Sequence, residues 1–447
     1  MKRLLFALVL LVAPWGAFSA QATPVQTVTT PSGVTAYLLA DPTLPIVSLS
    51  FILPGGAVSD PADRRGLATL ASGLLDEGAG PYDSQAFRAR LEDQAIELRF
   101  DAGRDSFSGS LKTTTATLED AFALLRLALH EPRFDAEPVD RIRAQVMTAV
   151  RMGEADPQTL ASKALFAAVF ADSPYAFDEQ GSEEGLRAIT ADDLRGFVRR
   201  QLVRQGLAIG VAGDITPEHL SALLERTFGD LPATGDQPPL PVPTPRLAGT
   251  TTVIDRDIPQ SIALLAQGGL KREDADWQAA YVLNYILGGG GFNSRLMNEV
   301  REKRGLAYSV YSTLYPFRTV GLWLAGTATQ NARLGESLAV MRAEWARMAE
   351  SGPTDQELAD AKTYLTGAWP LRFTSTEAVA AILASMRMTD LPADYIDRRN
   401  AEILALTTDD LRRVAKRLMT PDQLTAVVVG RPEGLPPAAD PTAPAVR

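Results

Sequence analysis

The side chains that most often carry metal or nucleophile chemistry are nearly absent from this chain: across 447 residues there are two histidines, His130 in LALHEPRF and His219 in TPEHLSALL, and no cysteine. A zinc hydrolase places two histidines one helical turn apart, so that both rings project from one face, and adds a third ligand and an open position for water. Neither histidine has another within a turn or two. His130-Glu131 matches the opening of a His-Glu-x-x-His helix, but Pro132 and the missing second histidine defeat it, and both histidines read as surface or helix-end residues. Without cysteine there are no disulfides, thiolate zinc sites or thiol nucleophiles. No Gly-x-Ser-x-Gly elbow is present to seat a serine nucleophile. The run LGGGGFNSRL (287–296) lacks the Gly-Lys-Ser/Thr of a phosphate loop and reads as a flexible helix-to-helix connection. By position alone, Arg301 reads as a cation in the last turn of a helix stopped by Gly305, where it meets the favourable end of the helix dipole. Tyr308 alternates with Leu306 and Val310 as a core-facing strand residue would.

The elements that would hold these residues repeat. ITADDLRGFVRRQLVRQGLAIGVAG (189–213) aligns without gaps to LTTDDLRRVAKRLMTPDQLTAVVVG (406–430), each a threonine-capped helix leading into a buried strand. VSLSFILPGG (47–56) and SIALLAQGG (261–269) are each a strand closed by paired glycines, then an acidic turn and a helix. In the first half that helix lies in RGLATLASGLLDEGAG (65–80), which reads as helical until a glycine turn. Such a duplication predicts an α+β protein of two homologous domains, each an antiparallel-rich sheet with helices on one face. We place the domains at 23–230 and 248–432, joined by a proline-rich linker, 231–247, and followed by a loose Pro/Ala tail, 433–447. Residues 1–22, with Lys2 and Arg3 before an apolar run and a closing Ala-Gln-Ala, read as a cleaved secretory signal. The run falls short of the roughly 20 apolar residues that span a bilayer, so export, most simply to a bacterial periplasm, is expected. A formal charge of −10 argues against nucleic acid and anionic lipid and is compatible with basic peptides.

Taken together, these features resemble the pitrilysin/insulinase superfamily of zinc peptidases, in the two-domain branch that includes the mitochondrial processing peptidase. Active members carry a helix introduced by Gly-Leu-Ala and reading His-x-x-Glu-His, with a later glutamate ligand. Laid on this chain, the first histidine falls on Thr69, the glutamate base on Ser72, the second histidine on Gly73 and the later ligand on Ala149. The resemblance therefore implies a degenerate zinc site, no metal or cofactor in this chain, and no catalytic residue of its own. In contrast, NSRLMNEVREKRGLAYSVYS (293–312) is close to the family pattern Ser-Arg-Leu…Arg-x-x-x-Gly-Leu-x-Tyr, with Arg301 and Tyr308 at the family's positions.

In active assemblies that arginine and tyrosine reach the zinc site of the opposite half of a clamshell and bind the substrate carbonyl. The resemblance thus implies that this chain forms half of the clamshell as the non-catalytic subunit of a heterodimeric zinc metallopeptidase. Its partner would be a homologous subunit bearing the zinc helix and the zinc, and the pair would enclose peptide substrates. Gly288, Gly289, Gly290 and Gly291 resemble a short version of the glycine-rich segment with which the processing peptidase's non-catalytic subunit handles substrate. The alternative is a structural or peptide-binding protein of the same fold with no peptidase role, like the core subunits of the respiratory cytochrome bc complex.

Overall fold

The computed structural model describes residues 24–236 and 239–435. The expected signal segment and most of the tail lie outside the described residues. Eleven strands form two sheets: β1 (Gln26–Thr29), β2 (Thr35–Ala40), β3 (Ile46–Pro54), β4 (Glu97–Ala102), β5 (Ser106–Thr114) and β6 (Ala208–Gly213) in the first half, and β7 (Thr251–Ile254), β8 (Gln260–Gly268), β9 (Ser309–Pro316), β10 (Gly321–Gln330) and β11 (Thr425–Val429) in the second. The first sheet runs β1-β2-β6-β3-β5-β4 and the second β7-β11-β8-β10-β9. Leaving β1 aside, the orders superimpose, even to the single parallel pair in each, β2 with β6 and β7 with β11. The helices that feed β6 and β11 open on identical capping boxes: Thr190 with Asp193, and Thr407 with Asp410. The fold is the duplicated α+β architecture that the internal repeat predicts.

Strand alternation explains how the halves are joined. In the first sheet Ala36 and Leu38, Val47 to Leu53 at every second position, and Ile209 and Val211 face a core built with that half's own helices. The residues between them, Tyr37 and Ala212, instead meet Val379, Leu383 and Met386 of the helix Thr376–Met388, which belongs to the second half. The second sheet mirrors this arrangement. Ala263, Leu265, Ala426 and Val428 face their own helices, while Leu264, Ala266, Val427 and Val429 pack on Ala161, Leu165 and Phe166 of the helix Pro157–Val169 from the first half. Each half covers one face of its own sheet and lends one helix to the other's. The linker is pinned between them, with Arg246 N–H donating to Val169 O at 2.7 Å and Thr319 Oγ1 to Pro241 O at 2.8 Å.

Close approach at the first crossing depends on Gly210, where an added Cβ would run into the backbone of Ala380 and Ala384. Ser48 Oγ and Thr376 Oγ1 share a 2.8 Å hydrogen bond, and Tyr37 Oη donates to Leu391 O at 3.0 Å, fixing the rest of the contact.

The short helix Leu67–Ser72, which carries Thr69 and Ser72, is held at its entry by the buried carboxylate of Asp60. This group accepts from Gly66 N–H at 2.8 Å and Ala68 N–H at 3.0 Å. The helix ends at Ser72 and continues as turns to Gly78 (φ +113°), shorter than the sequence suggested. Glycine at position 73 weakens the next helical turn, and the chain turns there instead. Burial pushes the Asp60 carboxyl up to about 6 against the opposing pull of those amides and of Arg65.

Three outcomes are expected. Gly210→Ala should lower unfolding stability by about 1–3 kcal/mol through overpacking. Gly367→Ala, where an added methyl meets nothing within 4 Å, should be neutral or raise stability by up to about 1 kcal/mol; urea midpoints compare the two. Because Asp60 binds its proton more tightly in the folded chain, its contribution is complete below pH 3.8 and is lost as pH rises through about 6. The stability difference between the native protein and Asp60→Asn should therefore shift by about 2 kcal/mol between pH 4.5 and 7, with the variant gaining relative to the native protein at the higher pH. A difference that stays constant with pH would refute it.

Candidate functional site

The degenerate zinc positions are grouped but chemically silent. Thr69 and Ser72 lie on one helix with Gly73 at its end. Thr69 Oγ1 donates to Glu179 O at 2.6 Å, and Ser72 Oγ turns back to Thr69 O at 2.9 Å. Gly73 packs against Ile142 of the helix Ala136–Ala155, which also carries Ala149. Ala149 opens onto a cavity of about 640 Å³ whose wall includes Arg104, Gln158, Phe166 and Glu179. Among the described residues, no three His, Asp or Glu side chains converge as metal ligands.

Two residues of that cavity escaped sequence reasoning. Arg104, in the turn between β4 and β5, stacks on the Phe166 ring at 4.2 Å, donates to the carbonyls of Tyr175 (2.6 Å) and Phe177, and faces the Glu179 carboxylate at 3.4 Å. Burial lowers the pKa of this guanidinium and raises that of Glu179. The pair thus fastens residues 175–179 over the helix where the family's histidines would stand. No local spacing links positions 104 and 179, so only the fold brings them together.

Arg301 and Tyr308 form a second, exposed cluster. The helical segment Met297–Glu302 is π-wound, and Gly305, three residues on, takes φ +60°, a left-handed turn that suits glycine. Arg301 therefore sits in a last helical turn, as its position implied, and its Nη1 donates to Tyr308 O at 3.2 Å. Tyr308 precedes the first residue of β9 and is 81% exposed, whereas Leu306 and Val310 are buried. The core-facing placement is thus corrected: the bend ahead of β9 swings the ring outward. The Arg301 guanidinium lies 4.6 Å from the ring centroids of both Tyr308 and Phe292. Phe292, itself 63% exposed, is the member that the sequence did not disclose.

The glycine run that contains it is not a slack connection. Tyr285–Gly289 forms another π-turn and Gly291–Asn293 a 3-10 turn. A Cβ on Gly288 would strike the Ser312 amide, and one on Gly289 the Asn284 side chain. Asn284 Oδ1 in turn accepts from Ser312 Oγ at 2.8 Å and Trp323 Nε1 at 2.9 Å, tying the run to β9 and β10. Glycines at 288 and 289 are thus needed for contact, while Gly291 (φ +55°) turns the chain toward Phe292. No hydrogen bond, ion pair or ring contact among the described residues joins Arg301 or Tyr308 to Thr69, Ser72, Gly73 or Ala149. The two clusters are separate sites within one chain.

Known proteins match this arrangement. The family described as peptidase M16 inactive domain matches residues 188–365. The chain is 29% identical to the non-peptidase homolog YmxG of Helicobacter pylori, over 71% of this chain and 73% of that one. It is 30% identical to an uncharacterized zinc protease of Streptomyces coelicolor, over 74% and 69% of the two chains. A crystal structure of a peptidase M16 inactive domain from Pseudomonas fluorescens superposes with a TM-score of 0.86 at 27% identity, covering 93% of this chain and all of that one. Among the described residues no helix is long and apolar enough to cross a membrane. Both halves of the sequence and the whole duplicated fold place the chain in the pitrilysin/insulinase (M16) peptidase superfamily, as a member without a zinc-binding motif.

Proposed function

We propose that this chain is the non-catalytic subunit of a heterodimeric zinc metallopeptidase, exported to the periplasm, whose homologous partner carries the zinc helix. Its part is to complete the peptide chamber and to present Arg301 and Tyr308 to the substrate carbonyl at the partner's metal. The observation that carries this reading is the exposed Phe292–Arg301–Tyr308 stack: a cation held between two rings beside a phenol hydroxyl with no partner among the described residues. An internal scaffold gains nothing from leaving such a group in solvent. A pre-oriented cation and a phenol proton near a scissile carbonyl stabilise the negative charge that develops on its oxygen, without reorganisation during the reaction. Similarity to the β subunit of the mitochondrial-processing peptidase, 23% identity over 92% of each chain for the Schizosaccharomyces pombe protein, supports a place in an assembly of such chains.

Purified alone, the chain should bind no zinc stoichiometrically and cleave no peptide; cleavage abolished by a chelator would overturn the proposal. Mixed with a zinc-helix homologue, ideally one encoded beside it, it should restore cleavage. In that mixture Arg301→Ala should lower kcat/KM by about 10²–10³-fold and Tyr308→Phe by at least about tenfold. Unchanged turnover by both variants within an intact complex would instead favour the structural or peptide-binding alternative.

A further inference from the structure

Where the helix Thr376–Met388 leaves the first sheet, it meets Trp277–Asn284 and Tyr395–Ala405 around a cavity of about 360 Å³. Its wall holds three arginines, Arg272, Arg372 and Arg399, and no acidic residue. That composition is unusual for a chain of net charge −10. Among the described residues, none of the three guanidiniums has a carboxylate within ion-pair distance, although most of the chain's other arginines do. The remaining wall is largely aromatic and apolar, with Trp277, Trp369, Tyr281 and Tyr395 prominent.

Hydrogen-bond donors here outnumber the acceptors that meet them. Arg399 is 4% exposed; its guanidinium lies over Trp369 at 4.1 Å and over Tyr281 at 5.5 Å, and its Nη1 donates to Leu365 O and Asn400 Oδ1. Burial holds its pKa below the usual arginine range, and nearby Arg372 adds to that effect. Arg272 lies over Trp277 at 4.8 Å and donates to Tyr395 Oη at 2.7 Å. The same Tyr395 oxygen accepts from Gln278 Nε2 at 3.0 Å. Gln278 Nε2 also reaches the Glu402 carboxylate at 3.1 Å, and because a carboxylate only accepts, this contact fixes which end of the amide is the donor. With two donors on its oxygen, Tyr395 has its own proton left to give, and no acceptor among the described residues takes it. Burying the Arg399 cation without counter-charge is costly; Arg272 is half-buried and Arg372 exposed, so their planar forks remain open to an oxyanion from solvent.

We infer that this cavity is a binding site for a small organic oxyanion, a carboxylate or phosphate carried on an unsaturated ring. The Arg272 and Arg372 guanidiniums and the Tyr395 hydroxyl meet the anion, and Trp277 and Trp369 meet the ring. Because the site lies apart from Arg301 and Tyr308, it stands or falls independently of the peptidase reading.

Phenyl phosphate, benzoate and inorganic phosphate serve as probes on the full-length exported chain, followed by calorimetry and by tryptophan fluorescence, to which Trp277 and Trp369 contribute. The expected result is one-to-one binding of phenyl phosphate or benzoate, the tighter of the two identifying the anion, with inorganic phosphate at least tenfold weaker. Arg372→Gln and Arg272→Gln should each weaken that binding at least tenfold while the melting temperature stays unchanged. No saturable binding of either ring compound in the millimolar range would overturn the inference. So would inorganic phosphate binding as tightly as phenyl phosphate, or both variants binding as the native chain does.

Discussion

Strands with both faces apolar cannot be satisfied by their own half of this chain, and the reciprocal loan of two helices follows from that constraint. β6 and β11 are buried at every position, so each needs cover on both sides. Leaving either face wet would expose several aliphatic side chains, at about 25 cal/mol for each Å² of apolar surface. The helices Pro157–Val169 and Thr376–Met388 supply that cover from equivalent places in the two repeats. The linker can therefore be irregular without the halves separating, since their connection is a shared core rather than a hinge peptide.

The two repeats have drifted in opposite directions around that common frame. In the first, the positions matching the family's metal ligands are Thr69, Gly73 and Ala149; Thr69 is bonded to the segment 175–179 that Arg104 grips, while Ala149 lines an open cavity. The result is a helix tied down by hydrogen bonds and packing, with nothing free to react. In the second repeat, the corresponding helix-to-strand passage is wound into π-turns, and these project Phe292, Arg301 and Tyr308 away from the core. π-turns place side chains off the regular helical face and recur at functional sites.

Much of this was legible beforehand because it depends on local periodicity. The gap-free match of 189–213 to 406–430 foretold both threonine caps and both buried strands, because these are local signals; the structure completes each cap as a reciprocal box with the aspartate three residues on. The replacement of the family's histidine and glutamate positions by Thr69, Ser72, Gly73 and Ala149 is likewise a matter of residue type. What stayed hidden depends on tertiary geometry. Alternation showed that Tyr308 shares parity with two core residues but not that a bend would turn it outward. Four glycines suggested slack, whereas two of them exist to let Ser312 and Asn284 come close. Arg104 with Glu179, and Arg272 with Tyr395, are separated by too much chain for any spacing rule to connect them.

The borrowed cover also sets an order of assembly. β6, the last strand of the first sheet, is complete at Gly213, but the helix that roofs its second face begins only at Thr376. A growing chain therefore carries an unfinished sheet through the whole synthesis of the linker and most of the second repeat. Contacts so distant in sequence close late, so the first sheet gains its second cover only once most of the second repeat is made. The first half therefore cannot lock into its final shape before the second has followed it.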